Sequence, residues 1–185
     1  MRDRSDLELV QLFQKGDEAS FNHLVLRYQE KVYRVARRFI NDHDSADDVT
    51  QEVFCKAYES LRDFRAESSL YTWLYRITVN IALNTLRRQK VRKFFRLDEV
   101  FDVEDTSTVP PDEALEKKEE KELIEEAIGT LPEKQKAVFI LRYYEELPYE
   151  EIGKILKTSV GGLKANYFHA VKKIQEHVRR AHGTR

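Results

Sequence analysis

The chain has 185 residues, 41% of them apolar and 35% charged, and a net charge of −1, which suits one medium domain or two small ones. With 6 Gly and 4 Pro it has too few turn-formers for a β-sandwich or barrel, so the expected fold is all-α. The single cysteine excludes a disulfide framework and any Cys-based zinc site. The longest uncharged run, ten residues from Ile77 to Leu86, falls short of the roughly 17–25 that span a bilayer, and Met1-Arg2-Asp3-Arg4 opens no signal-peptide core. A soluble, cytoplasmic protein without membrane insertion is expected.

Ser5-Asp6-Leu7-Glu8 is a capping box, and the helix it opens carries Leu9, Leu12 and Phe13 before Gly16 stops it. A second helix is predicted from Asp17 to about Ile40 and a third from Asp44 to about Leu61. After a loop with Asp63-Phe64-Arg65-Ala66-Glu67, a fourth starts near Ser69 and carries Leu70, Leu74, Ile77 and Ile81 at helical spacing into a basic run of Arg87, Arg88, Lys90, Arg92, Lys93 and Arg96. These four helices form a first body, residues 1–97. Residues 98–112 lose periodicity and end in Pro110-Pro111, which reads as a flexible acidic linker. A second body, residues 113–185, begins with a charged helix that leads to a capping signal at Thr130-Leu131-Pro132-Glu133.

The small net charge hides a segregation: +4 over residues 1–97, −10 over 98–126, −2 over 127–153 and +7 over 154–185. A tail of +7 on about thirty residues is what phosphate-backbone binding needs. In that tail Tyr149 to Leu156 is a short helix behind Pro148, Lys157-Thr158-Ser159 is a tight connection, and Ser159 caps the next helix. Two helices so joined make a DNA-binding helix-turn-helix. At 100° per residue Val160, Leu163, Tyr167, Val171, Ile174 and Val178 share one stripe, the expected buried side. Ala165, Asn166, His169, Lys172 and Lys173 face away, with Lys164 and Phe168 on the flanks. That outer composition suits a major-groove reader, in which Lys reads guanine, Asn reads adenine and an apolar edge meets the thymine methyl. The plain alternative is an ordinary helical hairpin with a basic surface.

The third helix carries the opposite sign. Ala46, Val49, Val53, Ala57 and Leu61 form its inward side, while Asp48, Gln51, Glu52, Cys55 and Glu59 lie opposite. The helix dipole accounts for Asp44 and Asp47 better than for Glu52. An acidic face repels phosphate, so a protein partner is the better functional reading and a solvated face the plain one. The lone thiol of Cys55 reads as incidental.

These residues carry a family resemblance. The run Asp47-Asp48-Val49-Thr50-Gln51-Glu52-Val53-Phe54-Cys55-Lys56-Ala57-Tyr58, then Phe64-Arg65-Ala66-Glu67-Ser68-Ser69, Thr72-Trp73-Leu74-Tyr75-Arg76-Ile77 and Asn80, resembles the second region of an extracytoplasmic-function sigma factor of bacterial RNA polymerase, in the sigma-70 superfamily. Leu131-Pro132-Glu133-Lys134-Gln135, Glu150-Glu151-Ile152 and Ser159-Val160-Gly161 resemble its fourth region. The resemblance implies that Asp48, Gln51 and Glu52 dock on core RNA polymerase. It implies that Lys56, Phe64, Arg65, Ser68, Ser69 and Asn80 bind the melted minus-ten promoter element and hold a flipped base. It implies that the helix after Ser159, through Lys164, Asn166, Phe168, His169, Lys172 and Lys173, binds the minus-thirty-five element. Trp73 and Tyr75 can assist the base pocket, although Trp73 shares its helix with Leu70, Leu74 and Ile77 and is equally assignable to the core. An inhibitory anti-sigma partner is implied as well, with no catalysis, cofactor or metal.

The sequence departs from the family pattern at named places. Ala66 stands where Gly is frequent, and Gly162, Ala165, Asn166 and His169 replace the more usual hydroxyl and Arg residues of the recognition helix. Pro148 stands where a Ser or Thr cap is common. Two rival readings are a stand-alone helix-turn-helix regulator, which would leave the acidic face idle, and an enzyme such as a nuclease. For the second, His23, His43, His169, His177 and His182 fall in no metal-ligand spacing and no Gly-rich phosphate loop exists.

Overall fold

The computed structural model describes residues 4–95 and 122–183, and all regular structure among them is helical. The expected linker, residues 98–112, lies outside the described residues. Helix α1 (Asp6–Gln14) opens with the Ser5 capping box, its N–H and hydroxyl both bound to Glu8. Gly16, at φ 101°, provides the left-handed turn into α2 (Glu18–Phe39), which Asp17 caps. Helix α3 (His43–Ser60) starts one residue earlier than predicted, because Asp42 accepts from the Ser45 N–H. The Ser45 hydroxyl and, after it, that backbone bond hold the Asp42 carboxyl below its ordinary range. A 3-10 turn (Leu61–Asp63) and a loop lead to α4 (Leu70–Phe95), with Ser69 receiving the Thr72 N–H at its start.

The second body begins with helical residues 122–130 (α5), followed by α6 (Glu133–Phe139), α7 (Tyr149–Leu156) and α8 (Val160–Gly183). The capping expected at Thr130 is not what starts α6: the Thr130 hydroxyl bonds back to Ala127 O at 2.7 Å, and Pro132 occupies the cap with no side-chain bond. Helix α6 widens into a π turn over Ile140–Tyr144, closed by the Glu145 N–H on Ile140 O at 3.3 Å. Glu145, just past this turn, accepts from the Tyr75 hydroxyl of the first body. Lys157 ends α7 in the left-handed conformation, and a Cβ on Gly153 would come 3.0 Å from Thr158 O, so the close approach of the turn between α7 and α8 favours glycine there.

Helices α1–α4 enclose Phe13, Val32, Val35, Phe39, Val53 and Tyr75, and α5, α6 and α8 enclose Ile128, Leu131, Phe139, Ala170 and Ile174. The first cluster continues into the second body through Ala137, Val138, Ile152 and Ile155, so the two bodies pack against each other. Helix α4 is therefore buried on two sides. Thr72, Tyr75 and Val79 are sequestered along with Leu70 and Leu74, while Ile77 and Ile81, expected inside, are half-buried.

Lys136 is 6% exposed and donates to Phe39 O at 2.9 Å across that joint. Burial, with a smaller contribution from Lys90, pulls its ammonium down to about 8. A lowered amine pKa penalises the packed state wherever Lys136 is protonated, in full below pH 8, and the penalty fades as pH rises towards the ordinary value. Thermal stability is expected to gain up to about 2–3 kcal/mol between pH 8 and 10. Above about pH 10 the tyrosines that burial keeps neutral, Tyr75 among them, act in the opposite sense, because the unfolded chain ionises there first. In Lys136→Met the rise between pH 8 and 10 should shrink to a small residue, as read from unfolding midpoints; an unchanged slope would assign the effect to other groups.

Candidate nucleic-acid and polymerase interfaces

Helix α3 presents the two faces its periodicity predicts. Ala46, Val49, Val53 and Ala57 are buried, and Asp48, Gln51, Glu52 and Cys55 are exposed. Asp47 is partly spent on His43, at 3.2 Å. The outer strip is a rigid acidic surface, anchored by the four buried residues below it.

The loop after α3 builds a cleft of about 570 Å³ whose wall includes Phe64, Arg65, Ser68, Trp73 and Arg76. Phe64 is half-buried with its ring centroid 5.3 Å from that of Trp73, tilted by 59°. Trp73 is 9% exposed and so belongs to the core while its edge reaches the cleft. Two aromatic rings beside guanidinium groups and a serine provide a stacking surface and hydrogen-bond partners for an unpaired base. Ser69 is committed in part to capping α4, through the Thr72 N–H at 3.1 Å and the Thr72 hydroxyl at 2.8 Å. Lys56 pairs with Glu59 at 3.0 Å on the exposed side of α3, and Asn80 is exposed one face further along α4.

Sequence reasoning missed Gln14. Its side-chain amide reaches three loop carbonyls, those of Leu61 at 3.1 Å, Arg62 at 3.2 Å and Phe64 at 3.0 Å, and so pins the cleft loop to α1. Nothing local marks it, since its partners lie 47–50 residues away. Ala66 sits at φ 55°, a region where a Cβ costs roughly 1–2 kcal/mol. That is the physical reason for glycine to be favoured at this place.

On α8 the stripe is buried at Leu163 and Ile174, with Tyr167, Val171 and Val178 half-buried; Ala170, not placed on it by the wheel, is fully buried. Ser159 caps the helix through the Gly162 N–H at 3.3 Å. Lys164, Phe168, His169, Lys172 and Lys173 are exposed, Phe168 at 64%. Asn166 differs from expectation: it is half-buried, donates to Gly162 O at 2.8 Å, and lines a groove of about 500 Å³ shared with Asn80, Arg76 and Arg87 of α4. Among the described residues no group of His, Cys, Asp or Glu is arranged to hold a metal ion, and no helix is long and apolar enough to cross a membrane.

Comparison with known proteins follows the same division. Residues 24–92 match the family described as Sigma-70 region 2, and residues 121–174 match Sigma-70 region 4. The chain is 39% identical over 183 residues to the ECF RNA polymerase sigma-E factor of Haemophilus influenzae, covering 94% of this chain and 95% of that one. It is 36% identical over 183 residues to the RNA polymerase sigma-H factor of Pseudomonas aeruginosa, covering 92% of each. Its fold is similar to that of CnrH in complex with the cytosolic domain of CnrY, with a TM-score of 0.66 at 22% identity over 95% of this chain and 97% of that one. It is also similar to the sigma factor RpoE from Bartonella quintana in complex with the anti-sigma factor NepR, with a TM-score of 0.63 at 23% identity over 86% of this chain and 96% of that one. Two matched regions in the right order, with identity at this level along nearly the whole length, leave one assignment: the chain belongs to the extracytoplasmic-function sigma factors of RNA polymerase, in the sigma-70 family.

Proposed function

We propose that the protein acts in the cytoplasm as a transcription initiation factor, directing core RNA polymerase to particular promoters and performing no catalysis of its own. In this reading residues 1–97 and 113–185 are the two working domains. Asp48, Gln51 and Glu52 dock on polymerase. Lys56, Phe64, Arg65, Ser68, Ser69 and Asn80 take the melted minus-ten element. Lys164, Asn166, Phe168, His169, Lys172 and Lys173 take the minus-thirty-five element as duplex. The observation that carries the reading is the pairing of an exposed acidic strip on α3 with an aromatic and basic cleft directly after it, because a protein that bound DNA alone would have no use for the strip. Complexes such as that of RpoE with NepR support an anti-sigma factor as a further partner.

The test is a gel shift and a run-off assay on the promoter of the gene's own operon. A fragment retarded and transcribed only when both core polymerase and the protein are present is the expected result. Retardation by the protein alone at the same concentration would favour the stand-alone regulator.

A further inference from the structure

The turn that follows α3 is held from outside by α1. The Leu61, Arg62 and Phe64 carbonyls converge on one point, where the side-chain amide of Gln14 donates to them at 3.1, 3.2 and 3.0 Å. Three acceptors around one position admit only a donor, so the NH2 end of the amide, and not its oxygen, faces them. Two of the three carbonyls belong to the 3-10 turn Leu61–Asp63, where the end of a helical stretch leaves acceptors without partners of their own. The same corner holds the side chain of Arg62, whose guanidinium pairs with Glu18 at 3.4 Å and lies 5.8 Å from the centre of the buried Phe13 ring. From Phe64 to Ser68 the chain has no regular structure, and Ala66 sits in the left-handed region at φ 55°, so the loop depends on side chains that reach it from elsewhere. The two aromatic residues of the cleft are therefore fixed by different means. Trp73, 9% exposed, is set in the core by α4, whereas Phe64 rides on the loop with its carbonyl tied to Gln14.

We propose that Gln14 is a specificity-determining positioning residue for the base held in the Phe64 cleft, acting through the loop backbone and not by touching DNA. The inference rests on the assignment of that cleft to the melted minus-ten element made above. Stacking on an aromatic ring accepts every base, because each has a π face. Rejection of a wrong base requires polar groups held where only the right one satisfies them. Gln14 supplies that second condition. With the three carbonyls fixed, Arg65 and Ser68 of the cleft wall meet a base at fixed points; with them released, the loop adapts to whichever base arrives. The proposal gives α1 a part in promoter reading, although this helix lies ahead of residues 24–92, the span that matches region 2.

The experiment uses holoenzyme assembled from core polymerase and the full chain, on a fork-junction probe of the operon promoter whose non-template strand is unpaired across the minus-ten element. At each position of that element the base is replaced in turn by the other three, and the dissociation constant of every probe is measured. Gln14→Met keeps the length of the side chain and removes its donors; Gln14→Glu keeps the shape and turns a carboxylate towards the three carbonyls. Gln14 is exposed at the end of α1, so both variants should melt as cooperatively as the unaltered protein. At the position where the unaltered holoenzyme is most selective, the ratio between best and worst base should fall about fivefold or more in each variant, with selectivity at the minus-thirty-five element unchanged. Phe64→Ala, which acts on the cleft itself, is measured alongside. If it flattens the preference while either Gln14 variant keeps the full ratio, or weakens all four bases equally, the proposal is overturned and the cleft reading stands. A preference that neither Phe64→Ala nor the Gln14 variants alter shows that the cleft does not read the base, which removes that reading and the proposal together.

Discussion

Reversing Asp48 and Glu52 together to lysine is expected to abolish capture of core polymerase while leaving the protein folded. Both side chains are exposed on α3 and the stripe beneath them, Ala46, Val49, Val53 and Ala57, is untouched, so the unfolding midpoint should move little. At an interface built for negative charge, each reversal replaces an attraction by a like-charge contact costing several kcal/mol. A loss of at least ~100-fold in affinity, about 2.7 kcal/mol, is a conservative expectation. A pull-down with core polymerase, together with a thermal melt of the free variant, checks both halves. Normal capture by a folded double variant would show that polymerase grips another surface.

On α8, base reading and phosphate binding are expected to separate by residue. Lys164 and Phe168 are exposed near the N-terminal part of the helix, the part that enters the major groove. Replacing either with Ala should cost about 1–3 kcal/mol on the preferred minus-thirty-five element and much less on a scrambled one. Lys172 and Lys173 lie further along, where a long cation meets backbone. Losing one should weaken all sequences alike and reduce the salt slope by about 1. Titrations at several salt concentrations on both sequences distinguish the two groups. Equal losses for all four variants would leave promoter choice to the cleft around Phe64 and Ser68.

The helices, most of their starts and the acidic and basic faces of α3 and α8 were legible locally. The Ser5 box, the Gly16 stop, the Ser159 cap and the α3 and α8 stripes each depend on residues within one or two turns, and a periodicity of 3.6 exposes them directly. Where local signals competed the reading slipped: at Thr130 the hydroxyl chose the carbonyl behind it over the N–H ahead, and at Asp42 an aspartate one residue upstream took the cap of α3.

The sequence by itself thus determined an all-helical chain with an acidic strip on one helix and a basic face on another, because each of these is a property of one element and its own composition. Only the tertiary structure decided how the two bodies meet. Tyr75 with Glu145, Thr72 with Glu151 and Lys136 with Phe39 are 70, 79 and 97 residues apart, and nothing in a helical window distinguishes a glutamate bound for solvent from one bound for a buried tyrosine. The second buried side of α4, the half-burial of Asn166 and the clamp of Gln14 on the cleft loop follow from that docking and from the packing of α1, since burial is set by whichever surface arrives opposite a side chain and not by the chain's own period.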